Sequence, residues 1–334
     1  MASHPDRELE VGLILPTWTA LPADSQYWLT LELPFERPNW TSFLALARQA
    51  EAAGFTSLWT FDQLLYRMDA IDAQYGLESP TPGVPGPDAG FWECWSVLAA
   101  LAAVTQRVEI GSMVTCSSYR NPALLAKIAA TVDDISGGRV ILGIGAGGME
   151  EEHASHGMRW DHRVSRFAEA IEIIHALLKT GTVDFDGEYY RITNGELLPR
   201  PARPGGPPIL IGALELGPRM MDLAARYADI WTGWTGFGRS HPDVVPPLRE
   251  AVDAACRTVE RDPATLKRSL AIGVAVGGRG IPGTEPLTGT ADQIAESLRA
   301  FHREGIDHIT IWLNPLNSEG IEAMAEVIHR LNGG

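Results

Sequence analysis

The densest run of residues able to do chemistry lies between positions 143 and 156. Gly143-Ile-Gly145-Ala-Gly147-Gly148 satisfies G-x-G-x-x-G, a spacing that can bring backbone N–H groups against a pyrophosphate. Three readings fit it. It could be a dinucleotide-binding turn, an opening where a flat ring or a phosphate meets the backbone, or a tight turn packing a helix. Context weighs against the first, because that turn normally opens a domain and has an acid about 20 residues on. Here a helical stripe occupies that place. Glu150-Glu-Glu-His153-Ala-Ser-His156 follows at once. Its residue types can bind metal, yet H-x-x-H is not the i, i+4 spacing of a zinc-binding helix. Glu152 and His153 are instead candidates to move a proton. The plain alternative is a solvated helix start, where carboxylates are favoured.

Other candidates stand alone. Thr60-Phe61-Asp62-Gln63 closes an apolar run, which puts Asp62 and Gln63 at a strand's end. A lone acid there could equally cap the next segment. Cys116, in Thr115-Cys-Ser-Ser-Tyr-Arg120, has no partner that sequence can assign, so it reads as a small wall residue rather than a nucleophile. Trp18, Trp231 and Trp234 fall at strand ends and could wall an aromatic ligand.

These residues need a frame, and the apolar pattern supplies one. Eight short, β-branched runs recur: Val11–Pro16, Ser57–Asp62, Val108–Val114, Val140–Gly145, Pro208–Ala213, Asp229–Trp234, Leu270–Val276 and His308–Leu313. Segments of helical period lie between them, at Trp40–Ala53, Trp92–Thr105, Pro122–Ser136, Ser165–Lys179, Pro218–Tyr227, Val244–Glu260, Ala291–Glu304 and Ser318–Leu331. Alternation of this kind implies parallel strands with helical crossovers, and eight units close a (β/α)8 TIM barrel. Asn121-Pro122 predicts a helix start and Gly137-Gly138 its end, while Thr290 and Gln293 predict a capping box. Two stretches interrupt the alternation. Leu64–Phe91, with four prolines, reads as a loop over the barrel's C-terminal face, and Gly181–Pro207 carries a hairpin signal at Asp186-Gly187. Both are too short to enclose a core. The expectation is one barrel domain over residues 1–334, with insertions at 64–91 and 181–207.

Composition narrows the partners. A net charge of −15 opposes nucleic acid and anionic membranes. Residues 1–10 hold no apolar signal segment, and no apolar run approaches the roughly 20 residues of a membrane span. Three widely spaced cysteines, Cys94, Cys116 and Cys256, make neither a disulfide framework nor a zinc knuckle. A soluble, cytoplasmic protein is expected.

Longer stretches resemble a known family. Arg120-Asn-Pro-Ala-Leu-Leu-Ala-Lys-Ile-Ala-Ala-Thr-Val-Asp-Asp-Ile-Ser-Gly-Gly-Arg-Val-Ile-Leu-Gly-Ile-Gly-Ala-Gly147 is similar to the third helix and fourth strand of the luciferase-like monooxygenases. Pro207-Pro-Ile-Leu-Ile-Gly212, Leu223-Ala-Ala-Arg-Tyr-Ala-Asp229 and Ser57-Leu-Trp-Thr-Phe-Asp62 add to the match. It is nearest to the F420-dependent oxidoreductase branch. The resemblance implies a bacterial-luciferase-like barrel with a ring-binding mouth built from strands two to five. It implies a cis Met113–Val114 bond, with Met113, Val114 and Cys116 lining the ring and Gly145, Ala146 and Gly147 beside it. The phosphate site falls at Gly212, Ala213, Leu214 and Gly217, before a helix N-terminus. Two positions depart from the family. Gln63 stands where histidine, often the proton donor, is common, and Gly148 where the branch usually has tryptophan. An amide cannot act as acid or base at neutral pH. Proton transfer then falls to Glu151, Glu152, His153 or water.

The expected activity is F420-dependent hydride transfer to or from a small organic substrate. The alternative is an FMNH2-dependent monooxygenase, which would need a separate flavin reductase and a dry cavity. A metal-dependent barrel hydrolase and a non-catalytic cofactor-binding paralogue are remoter. A homodimer fits either oxidoreductase. Substrate choice is expected to rest with Leu64–Phe91 and with the loop Gly277–Thr288.

Overall fold

A barrel strand is covered on both faces, so its sequence is apolar almost throughout. All eight apolar runs form such strands in the computed structural model, which describes residues 8–18, 33, 37–65, 90–213, 216–235, 239–277, 280 and 284–333. They are β1 (Glu10–Ile14), β2 (Ser57–Thr60), β3 (Glu109–Ser112) continued by β4 (Thr115–Cys116), β5 (Val140–Gly145), β8 (Ile209–Gly212), β9 (Ile230–Trp234), β10 (Lys267–Ala275) and β11 (His308–Asn314). Each pairs in parallel with its neighbours, and β1 meets β11 with Glu10 opposite His308. The pairing of β3 with β5 completes the ring. This is a closed eight-stranded (β/α)8 barrel.

Helices α1 (Trp40–Ala52), α2 (Cys94–Val104), α3 (Pro122–Ser136), α5 (Arg163–Lys179), α6 (Pro218–Tyr227), α7 (Val245–Thr258), α8 (Ala291–Arg303) and α9 (Ser318–Leu331) follow the strands. A short helix, α4 (Glu150–Ser155), stands between β5 and α5. The expected end signals are present. Asn121 accepts from the N–H groups of Ala123 and Leu124, Gly137 closes α3 at φ 72°, and Thr290 and Gln293 cap α8 reciprocally. Among the described residues, no helix is long and apolar enough to cross a membrane.

Two features differ from the sequence reading. The Met113–Val114 bond is cis, as the resemblance implied, but the third strand is not continuous: β3 ends at Ser112 and the chain resumes as β4, further along β5. The hairpin β6 (Thr182–Asp186) and β7 (Arg191–Glu196) turns through four residues, not two. Glu169 of α5 holds that loop by accepting from the N–H groups of Glu188, Tyr189 and Tyr190 at 2.8–3.0 Å.

The barrel interior is filled rather than hollow. Trp59 lies fully buried across it, and the two neighbouring strands make room with glycine. A Cβ on Gly12 would sit 2.6 Å from the indole nitrogen, and one on Gly111 2.5 Å from the ring carbons. Beneath it His308 lies between two hydroxyls, Ser57 and Ser269, each 2.8 Å from a ring nitrogen. Burial, with Lys267 adding to it, depresses the His308 imidazole to about 3, so it stays neutral.

Candidate active site

The C-terminal ends of the strands surround a cavity of about 880 Å³. Its floor is Val114, which the break after β3 turns inward. The strands beside the valine carry glycine. A Cβ on Gly145 would lie 3.0 Å from a Val114 methyl, and one on Gly212 3.6 Å. With no side chains at those two positions, the floor is flat and apolar. Met113, Cys116, Ala146 and Gly147 line its edges.

The glycine run at 143–148 thus divides into two parts. Gly143 serves the barrel, since a Cβ there would fall 1.8 Å from the Ser112 carbonyl oxygen. Gly145, Gly147 and Gly148 serve the cavity. The run sits in the middle of a closed barrel, which removes the dinucleotide turn.

The two cavity acids are already occupied by the protein itself. Asp62 is buried and forms a two-pronged ion pair with Arg120 at 2.7 and 3.0 Å. It also accepts the Cys116 N–H at 3.1 Å. Burial pushes its carboxyl up, against the pull of Arg120 and that N–H. Arg120 reaches on to Glu93, the N-cap of α2, and so ties two consecutive βα units together. Glu152, also buried, accepts from the N–H groups of Leu64 and Leu65 at 2.7 and 3.0 Å and from the Tyr119 hydroxyl. Gln63 faces the cavity with its amide on the Met149 sulfur at 3.7 Å.

Cys116 does have a partner, contrary to the sequence reading. Its sulfur lies 3.7 Å from Nε2 of His153. Nδ1 of His153 lies 2.7 Å from the Met149 carbonyl, which can only accept. Nδ1 therefore carries the hydrogen, and Nε2 turns its lone pair to the thiol. Tyr119 and Trp160 hold the imidazole on either side, with centroids 5.1 and 5.0 Å away. Burial, above all, pushes the thiol up to about 12.

Across the cavity, α6 begins at Gly217 with no side-chain cap, and Pro218 has no N–H to satisfy. The N–H groups of Arg219 and Met220 are in the helix's first turn, where no intrahelical carbonyl reaches them, which is the arrangement an anion completes. Arg219 and Arg163 line the same region. Gly212, Ala213 and Gly217 are on the cavity wall; Leu214 lies outside the described residues. So does most of 64–91, and part of 277–288.

Of the three tryptophans singled out, only Trp234 reaches the cavity, together with Phe61. Trp231 and Trp18 are buried, and Trp18 backs the wall by stacking on Trp312 at 5.3 Å. Tyr119, Arg120, Arg163 and Arg219 were not singled out by sequence. Only Arg120 had a signal, directly before Asn121-Pro122 in the family-like stretch. Among the described residues no three His, Cys, Asp or Glu side chains gather as a metal site would require.

Comparison with known proteins agrees with this geometry. The sequence model described as luciferase-like monooxygenase matches residues 17–279. The chain is 32% identical over 231 residues to F420-dependent glucose-6-phosphate dehydrogenase of Amycolatopsis mediterranei, covering 67% of this chain and 63% of that protein. It is 36% identical over 178 residues to 5,10-methylenetetrahydromethanopterin reductase of Archaeoglobus fulgidus, covering 50% of this chain and 51% of that one. It thus spans less than two thirds of either relative. Among solved structures, an F420-dependent secondary alcohol dehydrogenase in complex with an F420–acetone adduct superposes with a TM-score of 0.73 at 19% identity, over 97% of this chain and 99% of that one. EDTA monooxygenase from Chelativorans sp. BNC1 superposes at 0.76 and 15% identity, over 98% and 94%. At such identities the likeness is one of fold.

Proposed function

We infer that this chain, which belongs to the luciferase-like monooxygenase family, is an oxidoreductase that holds coenzyme F420 in its barrel mouth and transfers a hydride to or from a small organic substrate. The flat floor carries the reading: Val114 with Gly145 and Gly212 offers a planar ring an apolar bed no Cβ interrupts. The named F420 dependence of a 32%-identical relative supports the deazaflavin over FMN.

Bound there, the deazaflavin would supply a low-potential pair of electrons as hydride. The protein supplies position. Met113, Cys116, Ala146 and Gly147 would border the ring. Gly212, Ala213 and Gly217, with the open N-terminus of α6 and Arg219, would take the phosphate; Leu214 belongs to the same assignment. Phe61 and Trp234 would receive the substrate's apolar part and keep water from it. Asp62, held by Arg120, sets the backbone at Cys116 by accepting its N–H, and Glu152 holds Leu64 and Leu65 at the rim. Gln63 orients and moves no proton. We read the chain as one barrel domain with insertions at 64–91 and 181–207, working in the cytoplasm on a small molecule.

Separate titrations of the purified protein with F420 and FMN, followed by cofactor absorbance and protein fluorescence, test this. F420 is expected to bind at least about tenfold more tightly, roughly 1.4 kcal/mol. Tighter FMN binding would replace the reading with an FMNH2-dependent monooxygenase served by a separate reductase. Binding of neither would end it.

A further inference from the structure

We propose that Cys116 and His153 form a two-residue proton relay opening on the cavity, with Cys116 exchanging the proton with the substrate oxygen and His153 holding a second proton behind it. The inference rests on the hydride-transfer reading above. A hydride moved to or from a carbon bearing oxygen requires a proton to move at that oxygen, and the cavity's other polar groups do not offer one. Both oxygens of Asp62 and of Glu152 are bound by the protein's own donors. The Tyr119 hydroxyl is spent on Glu152. Gln63 is an amide, and arginines keep their protons. The Thr232 and Thr235 hydroxyls, also on the wall, lie against backbone carbonyls, and alcohols are not among the usual acid–base side chains. The Cys116 thiol remains.

The pair is built for transfer. With Nδ1 fixed on the Met149 carbonyl, the Cys116 S–H donates to Nε2. His153 is fully buried, so its route to the cavity runs through the sulfur. Gly147 gives independent support. A Cβ there would lie 2.5 Å from the sulfur and 3.2 Å from Cε1 of His153, so the residue beside the pair has none. In the oxidising direction the substrate O–H proton passes to sulfur as the sulfur's own proton passes to Nε2. The O–H bond's electron pair forms the carbonyl while the carbon's hydrogen leaves with its two electrons to the deazaflavin. The imidazolium that results lies beside Tyr119, whose hydroxyl is bonded to the Glu152 carboxylate. Reduction is the reverse. No free thiolate forms, which suits a thiol that burial holds protonated.

Iodoacetamide tests the pair without cofactor or substrate. Cys94 and Cys256 are fully buried away from the cavity and serve as internal controls. Burial holds the thiol protonated, so labelling at about pH 8 should be slow. With a large excess of reagent wild type should still take one label, on Cys116, identified by peptide mass, as His153 accepts the proton while the sulfur attacks. His153→Gln should slow labelling about tenfold by removing the base, and saturating F420 should block it in wild type. In 15N-histidine spectra, Cys116→Ser should shift one imidazole pair whose Nδ1 is protonated, a measurement that stands even if His153→Gln fails to fold. On any carbonyl or alcohol that is turned over, Cys116→Ala should lose about 100-fold or more in kcat measured at saturating F420, the usual scale of acid–base catalysis. An unlabelled Cys116, equal labelling rates in wild type and His153→Gln, an unmoved imidazole or an active Cys116→Ala each overturns the relay. If neither F420 nor FMN binds, the functional reading falls by itself, and labelling and spectra still decide whether the pair exists.

Discussion

Two acids at a strand's end look alike in a sequence, yet Asp62 and Glu152 differ from the usual picture of catalytic carboxylates because the chain consumes both. Asp62 is the sharper case, a buried charge held by Arg120. Arg120→Met should destabilise the protein by about 3–5 kcal/mol, since it strands that charge, and urea unfolding would measure it. Burial raises the Asp62 pKa in the folded state, and losing Arg120 raises it further. The variant's penalty should therefore shrink as pH falls through that value and Asp62 takes up a proton. Adding Asp62→Asn should recover part of the loss. His308 gives the opposite sign. Its folded pKa is depressed to about 3 by burial, so its contribution is complete above the ordinary histidine value and is lost as pH falls from there towards 3. Urea midpoints of wild type should decline across that window, by up to ~1.4 kcal/mol per pH unit, and His308→Gln should flatten the decline. None of this was legible in the sequence. Cys116 and His153 are far apart along the chain, and their contact exists only because β4 and α4 leave neighbouring strands at the same end. Asp62, Gln63 and the cavity glycines were legible because strand ends project into the mouth of any such barrel.

At the scale of elements, periodicity located every barrel strand and the helix after each, because burial on both faces leaves an unmistakable apolar run. It could not show where an element is interrupted. The apolar pattern of Gly111-Ser-Met-Val-Thr115 does not announce that β3 stops and β4 starts; only the family resemblance marked the Met113–Val114 bond. Asp186-Gly187 pointed correctly to a hairpin but not to its length, which a carboxylate from α5 helps to set. Two of the glycines with positive φ, Gly137 and Gly147, separate backbone from packing. Gly137, at φ 72° with open space around it, should tolerate alanine at a cost of about 1–2 kcal/mol. Gly147, at φ 82° and pressed on Cys116 and His153, should lose a further 1–3 kcal/mol or so to crowding. Equal losses in urea unfolding would mean that the space beside the thiol is not tight.

For the molecule as a whole, the eightfold alternation was enough to anticipate closure, and the closed ring is what brings residues from the ends of five barrel strands (β2, β3 with β4, β5, β8 and β9) to one mouth. A charge of −15 is spread over a protein whose cavity carries arginines at its rim, so the site's polarity is the reverse of the average and could not be read from composition. The pairing of Glu10 with His308 has a consequence in time. A ribosome delivers β1 long before β11, and at about 5–20 residues per second the stretch between Glu10 and His308 takes on the order of tens of seconds. Throughout it, β1 has a bonded neighbour on one side only. An unpaired parallel edge is an invitation to other nascent chains. The ring cannot close until β11 has joined β1 and β10, so the interval between the two strands is a window in which the unfinished sheet keeps an open edge.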